Sequence, residues 1–294
     1  MKKEVFTMYG RFIDKLSSDS FDVLAFEVYH QGGTEFLYEK ESGKRCPVYS
    51  VTKSITSSAF SIACGDGVVS PDTPLAQLLP KKYTAELPKG FDKLPMSRFL
   101  TMTAAEYPFR PSGENWLDTI FSLDVDYSVP SYHYSNIPAY LVGAAVENAV
   151  GKKLIEYLDE RLFAPLGITQ PPYSTSPEGC FYGATGMSFT VEELTRLGRL
   201  YLQNGDWNGT QLIGERFVKA AVTPHVDTGF GDHYGYFFRV AEDHFSMVGK
   251  WGQRCMIYPK YDLVISYLSN EPERSAQLYE AVKAFAAAEF NRLS

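Results

Sequence analysis

Cysteine is scarce in this chain: Cys46, Cys64, Cys180 and Cys255 are the only four in 294 residues, and no two are close. That spacing gives no Cys-x-x-Cys zinc or redox pair, so free thiols are the expectation. Dense runs of Lys or Arg are also missing. The 35 acidic and 28 basic residues leave a net charge of −7. With a pI of 5.3, this argues against a nucleic-acid or anionic-membrane partner. No stretch approaches the length of a transmembrane helix. Met1-Lys2-Lys3 looks like the charged start of a signal peptide, but Glu4, Arg11, Asp14 and Lys15 interrupt the segment that should be apolar. The chain as written therefore reads as cytoplasmic. The five histidines show no metal-ligand spacing, and the Gly-x-Ser-x-Gly elbow of a Ser/His/Asp hydrolase is absent.

What is present is an ordinary globular composition, 45% hydrophobic and 21% charged. It suffices for a sizeable core in one large domain or two intimately joined ones. Val5, Met8, Tyr9, Phe12, Ile13 and Leu16 recur with helical period, which predicts a helix over 4–17. Residues 21–30 are rich in β-formers, Gln31-Gly32-Gly33 makes a turn, and 34–38 read as the returning strand. A helix follows, with Ile55, Ala59, Ile62 and Ala63 on one face, ended by Gly65 and Gly67. From Ser70 to about Tyr182 the strand signal fades and helices dominate, most clearly at 137–150 and 152–163. Thr190-Val191-Glu192-Glu193 is a capping box. It opens a helix with Val191, Leu194, Leu197 and Tyr201 inward. Strands are then predicted at 234–240, 245–248, 254–258 and 263–269, an antiparallel meander. A last helix, 274–290, carries Leu278, Val282, Phe285 and Ala286 on one face.

The fold class expected is α/β: an antiparallel sheet flanked by the terminal helices, with an inserted helical lobe. Residues 1–69 and 183–294 would form the sandwich and 70–182 the lobe. A site between lobes is a favoured place for a ligand.

Three stretches carry candidate chemistry. Ser50 and Lys53 stand three apart at the start of a helix, so they share a face. A serine hydroxyl becomes a nucleophile when an adjacent base takes its proton, and a lysine whose pKa is lowered can be that base. Read alone, the pair is more often a capping serine and a solvated lysine. Tyr134-Ser135-Asn136 precedes the 137–150 helix. A phenol there could relay a proton and the amide could hold the lysine; alternatively Asn136 is simply an N-cap. Gly249-Lys250-Trp251-Gly252-Gln253 lies between two strands. Its lysine could attract a substrate carboxylate and depress the pKa of Lys53, or be an exposed residue of a Gly-rich hairpin.

The order Ser-x-x-Lys, Tyr-x-Asn, Lys-x-Gly resembles the serine β-lactamase and penicillin-binding superfamily. The Tyr-x-Asn form resembles its class C branch, with DD-peptidases, family VIII esterases and 6-aminohexanoate-dimer hydrolases. Framework segments also look like that family, among them Asp72-Thr73-Pro74-Leu75, Phe163 to Ile168, and Gly183 through Thr190 with its helix. The resemblance implies an acylated Ser50, Lys53 as general base, and Tyr134 as proton shuttle. Asn136, Lys250, Trp251, Gly252 and Gln253 would meet substrate, with the backbone N–H groups of Ser50 and Gln253 as oxyanion hole. It implies a small-molecule substrate and neither metal nor cofactor.

The sequence departs from that pattern in three places. Trp251 stands where β-lactam-active members often carry Thr or Ser. Leu100 to Ala104 replaces a Thr-Ser-Gly turn. The chain is short and shows no apparent leader. Trp251 weighs against a β-lactamase or DD-peptidase, and the want of an apparent leader against a peptidase, which favours an esterase or small-amide hydrolase. A penicillin-binding sensor with little turnover, which Trp251 also supports, is the alternative from another class. Tyr49, Trp116, Tyr132, Tyr236 and Trp251 are candidates for the wall of the acyl pocket. Oligomeric state is not legible in the sequence.

Overall fold

The computed structural model describes residues 2–84 and 87–290, with side chains from Met8 onward. Met1, Val5's side chain and residues 291–294 therefore lie outside it. Helix α1 (Lys2–Ser18) leads into β1 (Val23–His30), β2 (Gly33–Glu39) and the short β3 (Cys46–Pro47). Helix α2 (Val51–Gly65) follows. Then come α3 (Met96–Leu100), α4 (Trp116–Phe121), α5 (Ile137–Val150) and α6 (Leu154–Leu158). Strand β4 (Ser188–Phe189) pairs with β3 and precedes α7 (Val191–Leu202). A hairpin of β5 (Asp206–Trp207) and β6 (Thr210–Gln211) leads to α8 (Glu215–Ala221). The chain then runs through β7 (Val226–Asp227), β8 (His233–Tyr234), β9 (Arg239–Val240), β10 (Phe245–Gly249), β11 (Gln253–Tyr258) and β12 (Leu263–Ser269). It ends in α9 (Ser275–Phe290).

Eight strands form one sheet in the order β2-β1-β12-β11-β10-β9-β8-β7. The two ends of the chain meet where β1 pairs antiparallel with β12. No strand of this sheet comes from the described residues of 70–182. The architecture is thus the α/β arrangement expected, with terminal helices on one face. Tyr9, Phe12, Ile13 and Leu16 of α1 and Leu278, Val282, Ala286 and Phe290 of α9 cover that face, against Phe26, Val28, Ile265 and Tyr267. Phe285 stacks on Phe12 with ring centroids 4.1 Å apart.

On the other face α7 lies close to β11 and β12. A side chain at Gly198 would come within 2.4 Å of Cys255 Sγ, so glycine sets that approach. The α7 start is the expected box: Thr190 accepts from the Glu193 N–H, and Glu193 accepts from the Thr190 N–H.

Three elements differ from the sequence reading. Residues 234–240 are not one strand. Phe237 adopts a left-handed φ of 61°, and the chain reverses so that β8 pairs with β9. The Phe237 carbonyl in that turn accepts from Ser54 Oγ on α2. Residues 152–163 form α6 and then a π-helical turn, Asp159–Phe163, rather than one helix. Helix α2 is also not amphipathic: residues 51–64 are buried all round. Its hydroxyls make this possible by finding partners, as Thr56 Oγ1 does on the Gly183 carbonyl. A helix of this kind is a fixed post.

Candidate active site

Ser50 is the N-cap residue of α2, yet its side chain makes no capping hydrogen bond. The first turn is closed by backbone instead, with the Val51, Thr52 and Lys53 N–H groups donating to the Val48, Tyr49 and Ser50 carbonyls. The Ser50 hydroxyl accepts from Lys53 Nζ at 3.1 Å. Tyr49, immediately before it, sits at a left-handed φ of 49°. Non-glycine residues there are sparse and strained, and they cluster at functional sites. Met102, Phe237 and Trp251 share that conformation.

Lys53 is 1% exposed. Nζ donates to Asn136 Oδ1 at 2.6 Å and to the Ala184 carbonyl at 3.0 Å, and lies 4.9 Å from the centre of the Tyr134 ring. Burial pushes the amine below the ordinary lysine range, with Tyr134 acting the other way. An ammonium in a buried site loses its hydration, which favours the neutral form. Lys250 has no part in that shift. Its Nζ stands over the rings of Tyr49 and Trp251, at 4.7 and 4.6 Å, and the residue is exposed. Here the expectation that Lys250 depresses the Lys53 pKa is corrected: burial does so.

Asn136 is likewise an N-cap, of α5, without a capping hydrogen bond. Its amide is used elsewhere: Oδ1 on Lys53 and Nδ2 on the Tyr182 hydroxyl at 3.1 Å. Tyr182 packs edge-on against Trp116, which packs against Tyr140. The Tyr140 hydroxyl donates to Glu178, which also takes the Trp116 and Leu117 N–H groups. The Tyr134 segment is sewn to the preceding loop: the His133 N–H donates to the Met102 carbonyl and the Asn136 N–H to the Phe109 carbonyl. Met102, at φ 59°, makes the turn in the Leu100–Ala104 stretch.

Strands β10 and β11 bring the third stretch to the cleft, with Gly249 paired to Gln253. A Cβ at Gly249 would fall 2.2 Å from the Val48 carbonyl oxygen, just ahead of the nucleophile. Gly252 (φ 79°) faces the Ser269 hydroxyl equally closely. The Gln253 side chain turns into the sheet, donating to the Ser269 carbonyl and accepting its N–H. Trp251 packs edge-on against Tyr49, 5.1 Å between centroids.

A cavity of about 290 Å³ opens on Ser50. Tyr132, Tyr134, Phe230, Tyr234, Phe237, Arg239 and Val248 line it. Of the aromatics expected at the acyl pocket, Tyr132 lines this cavity. Tyr236 instead stacks on His225, and Trp116 supports Tyr182. Sequence reading missed Arg239, whose Nε donates to Asp232 at 2.5 Å, and also Phe230, Tyr182 and Ala184. Arg239, Phe230 and Tyr182 lie in no motif, and Ala184 lies in the Gly183–Thr190 framework segment without being singled out; pairing across the fold brings them in.

This fold and these three stretches place the chain among known proteins. It belongs to the β-lactamase family, whose model, described as Beta-lactamase, matches residues 24–288. Solved structures share the fold at low identity. A protein from Bacillus anthracis described as a candidate 6-aminohexanoate-dimer hydrolase has TM-score 0.77 and 18% identity, over 95% of this chain and 81% of its own. The β-lactamase/D-alanine carboxypeptidase from Pseudomonas syringae has TM-score 0.75 and 15% identity, over 94% and 98%. The penicillin-binding protein from Bacillus halodurans has TM-score 0.72 and 17% identity, over 93% and 99%. No curated protein matches the chain. Among the described residues no helix is long and apolar enough to cross a membrane.

Proposed function

We propose that the chain is a serine hydrolase that cleaves a small ester or amide through an acyl-enzyme. The observation that carries this reading is the buried Lys53 amine, pushed toward its neutral form and 3.1 Å from an uncapped Ser50 hydroxyl. A solvated lysine beside a capping serine would show neither feature.

Ser50 Oγ attacks the acyl carbon while its proton passes to Lys53. The negative charge on the former carbonyl oxygen is met by the backbone N–H groups of Ser50 and Gln253, at the start of a fifteen-residue helix whose dipole favours it. The C–O or C–N bond then breaks, and Tyr134 hands a proton to the leaving alcohol or amine. Water adds to the acyl-Ser50, losing its proton to the same Tyr134/Lys53 pair. The acid departs and Ser50 regains its hydrogen. Asn136 holds Lys53 in line throughout.

Trp251 supports an ester or small amide over a β-lactam, because it offers a ring packed on Tyr49 where a hydroxyl would meet a carboxylate. The test is turnover of short-chain activated esters by wild type and by Ser50→Ala. Turnover by the wild type alone supports the reading; equal turnover by both overturns it.

A further inference from the structure

The two most exposed large apolar side chains among the described residues are Phe230, at 80%, and Phe109, at 61%. Both stand at this cleft. Phe230 lines the cavity that holds Ser50. It also borders a groove of about 760 Å³ that shares Arg239 and Val248 with that cavity. Phe109 comes from the helical side, its ring 6.5 Å from that of Tyr134. Single exposed apolar residues are ordinary, but clustered ones mark binding surfaces.

Their backbones are pinned while their rings are not covered. The Phe109 carbonyl takes the Asn136 N–H. The Phe230 N–H donates to Thr228 Oγ1, and Thr228 Oγ1 donates to Asp232, which pairs with Arg239. Polar bonds thus hold each phenyl at the mouth. The cavity itself, at about 290 Å³, is at the lower limit of ligand pockets. A substrate larger than that must continue past the mouth, and the surface it meets there is aromatic.

We propose that Phe109 and Phe230 are specificity-determining residues that hold an apolar extension of the substrate, aryl or medium-chain alkyl, at the mouth of the Ser50 cavity. This names the substrate class of the hydrolase reading above and rests on it. The preferred substrate is an ester or amide with an apolar arm on one side of the scissile bond, rather than a minimal acetyl ester.

The experiment compares kcat/KM for ethyl acetate, ethyl octanoate and octyl acetate, followed by acid release, which place the arm on neither side, the acyl side and the alcohol side. Wild type, Phe109→Ala, Phe230→Ala and Phe230→Leu are measured, with thermal melting as the folding control. Wild type should favour one of the two armed esters. Each alanine variant should lose about three- to tenfold on that ester relative to ethyl acetate, in proportion to the apolar contact removed. Phe230→Leu should recover part of the loss. No preference for either armed ester, or a preference that survives both alanine substitutions, overturns the inference and leaves the hydrolase reading standing. If wild type turns over neither these three nor the short-chain activated esters, both fall.

Discussion

Lys53 Nζ lies 2.6 Å from Asn136 Oδ1, nearer than the 3.1 Å to the Ser50 hydroxyl it would deprotonate. The amide therefore steers the amine, and it does so from the N-cap of another helix. Because Oδ1 accepts, it favours the ammonium form and opposes the effect of burial. Asn136→Ala should remove that support, lower the Lys53 pKa further and move the acid limb of the pH–rate profile to lower pH. Asn136→Asp places a carboxylate there and should move the limb the other way. The alanine variant should also lose about 10- to 100-fold in rate, the range of a hydrogen bond to a charged group. Identical acid limbs in the two variants would contradict this role.

Burial of Lys53 also couples stability to pH. The folded chain gives up this proton at a lower pH than the unfolded chain, whose lysine titrates near 10.5. Between those two values the unfolded state binds more protons, so stability rises with pH there. Below the folded pKa the buried ammonium is a full cost. Lys53→Met should abolish turnover and raise the melting temperature, with the larger gain at acid pH. Melting curves of both proteins across the pH range check this; a gain that grows with pH would be the wrong sign.

Tyr134 stands beside the lysine, its ring under Nζ at 4.9 Å. Tyr134→Phe keeps the ring and removes the hydroxyl. If the phenol moves the proton, turnover should drop about 10²- to 10⁴-fold with little change in melting temperature. Rates within a few-fold of wild type would mean that the leaving group takes its proton elsewhere.

Gly249 needs no special backbone, with φ −126°, but it needs the space. Its Cβ would collide with the Val48 carbonyl at 2.2 Å, a backbone atom that cannot swing aside. Gly249→Ala should therefore cost about 1–3 kcal/mol by overpacking and part β10 from the Ser50 loop. Denaturant unfolding measures the first effect and ester turnover the second. A variant as stable and active as wild type would show that this approach is looser than described.

Much of this was legible in the sequence because periodicity reports burial. The helix at 137–150, the Thr190 capping box and the β-meander all follow from side-chain patterns, and the structure has them. The left-handed turns were not legible. Phe237 and Trp251 adopt a conformation that sequence rules reserve for glycine and asparagine, so 234–240 read as one strand where a hairpin forms. Contacts made only by the assembled fold were equally hidden. Lys250 looked like the cation that would tune Lys53, but it caps Tyr49 and Trp251, and desolvation within α2 does the tuning. Arg239 reaches the cavity through the hairpin that was missed.

The central claim is that Ser50 carries the acyl group. Intact-mass spectra over time, of wild type and Ser50→Ala mixed separately with a short-chain activated ester and with a penicillin, test it most directly. The account predicts an acyl adduct on wild type that appears and clears with the ester, and none on Ser50→Ala. A long-lived penicillin adduct with no ester turnover would make the chain a penicillin-binding protein instead. An ester adduct of equal yield on Ser50→Ala would contradict the assignment of the nucleophile.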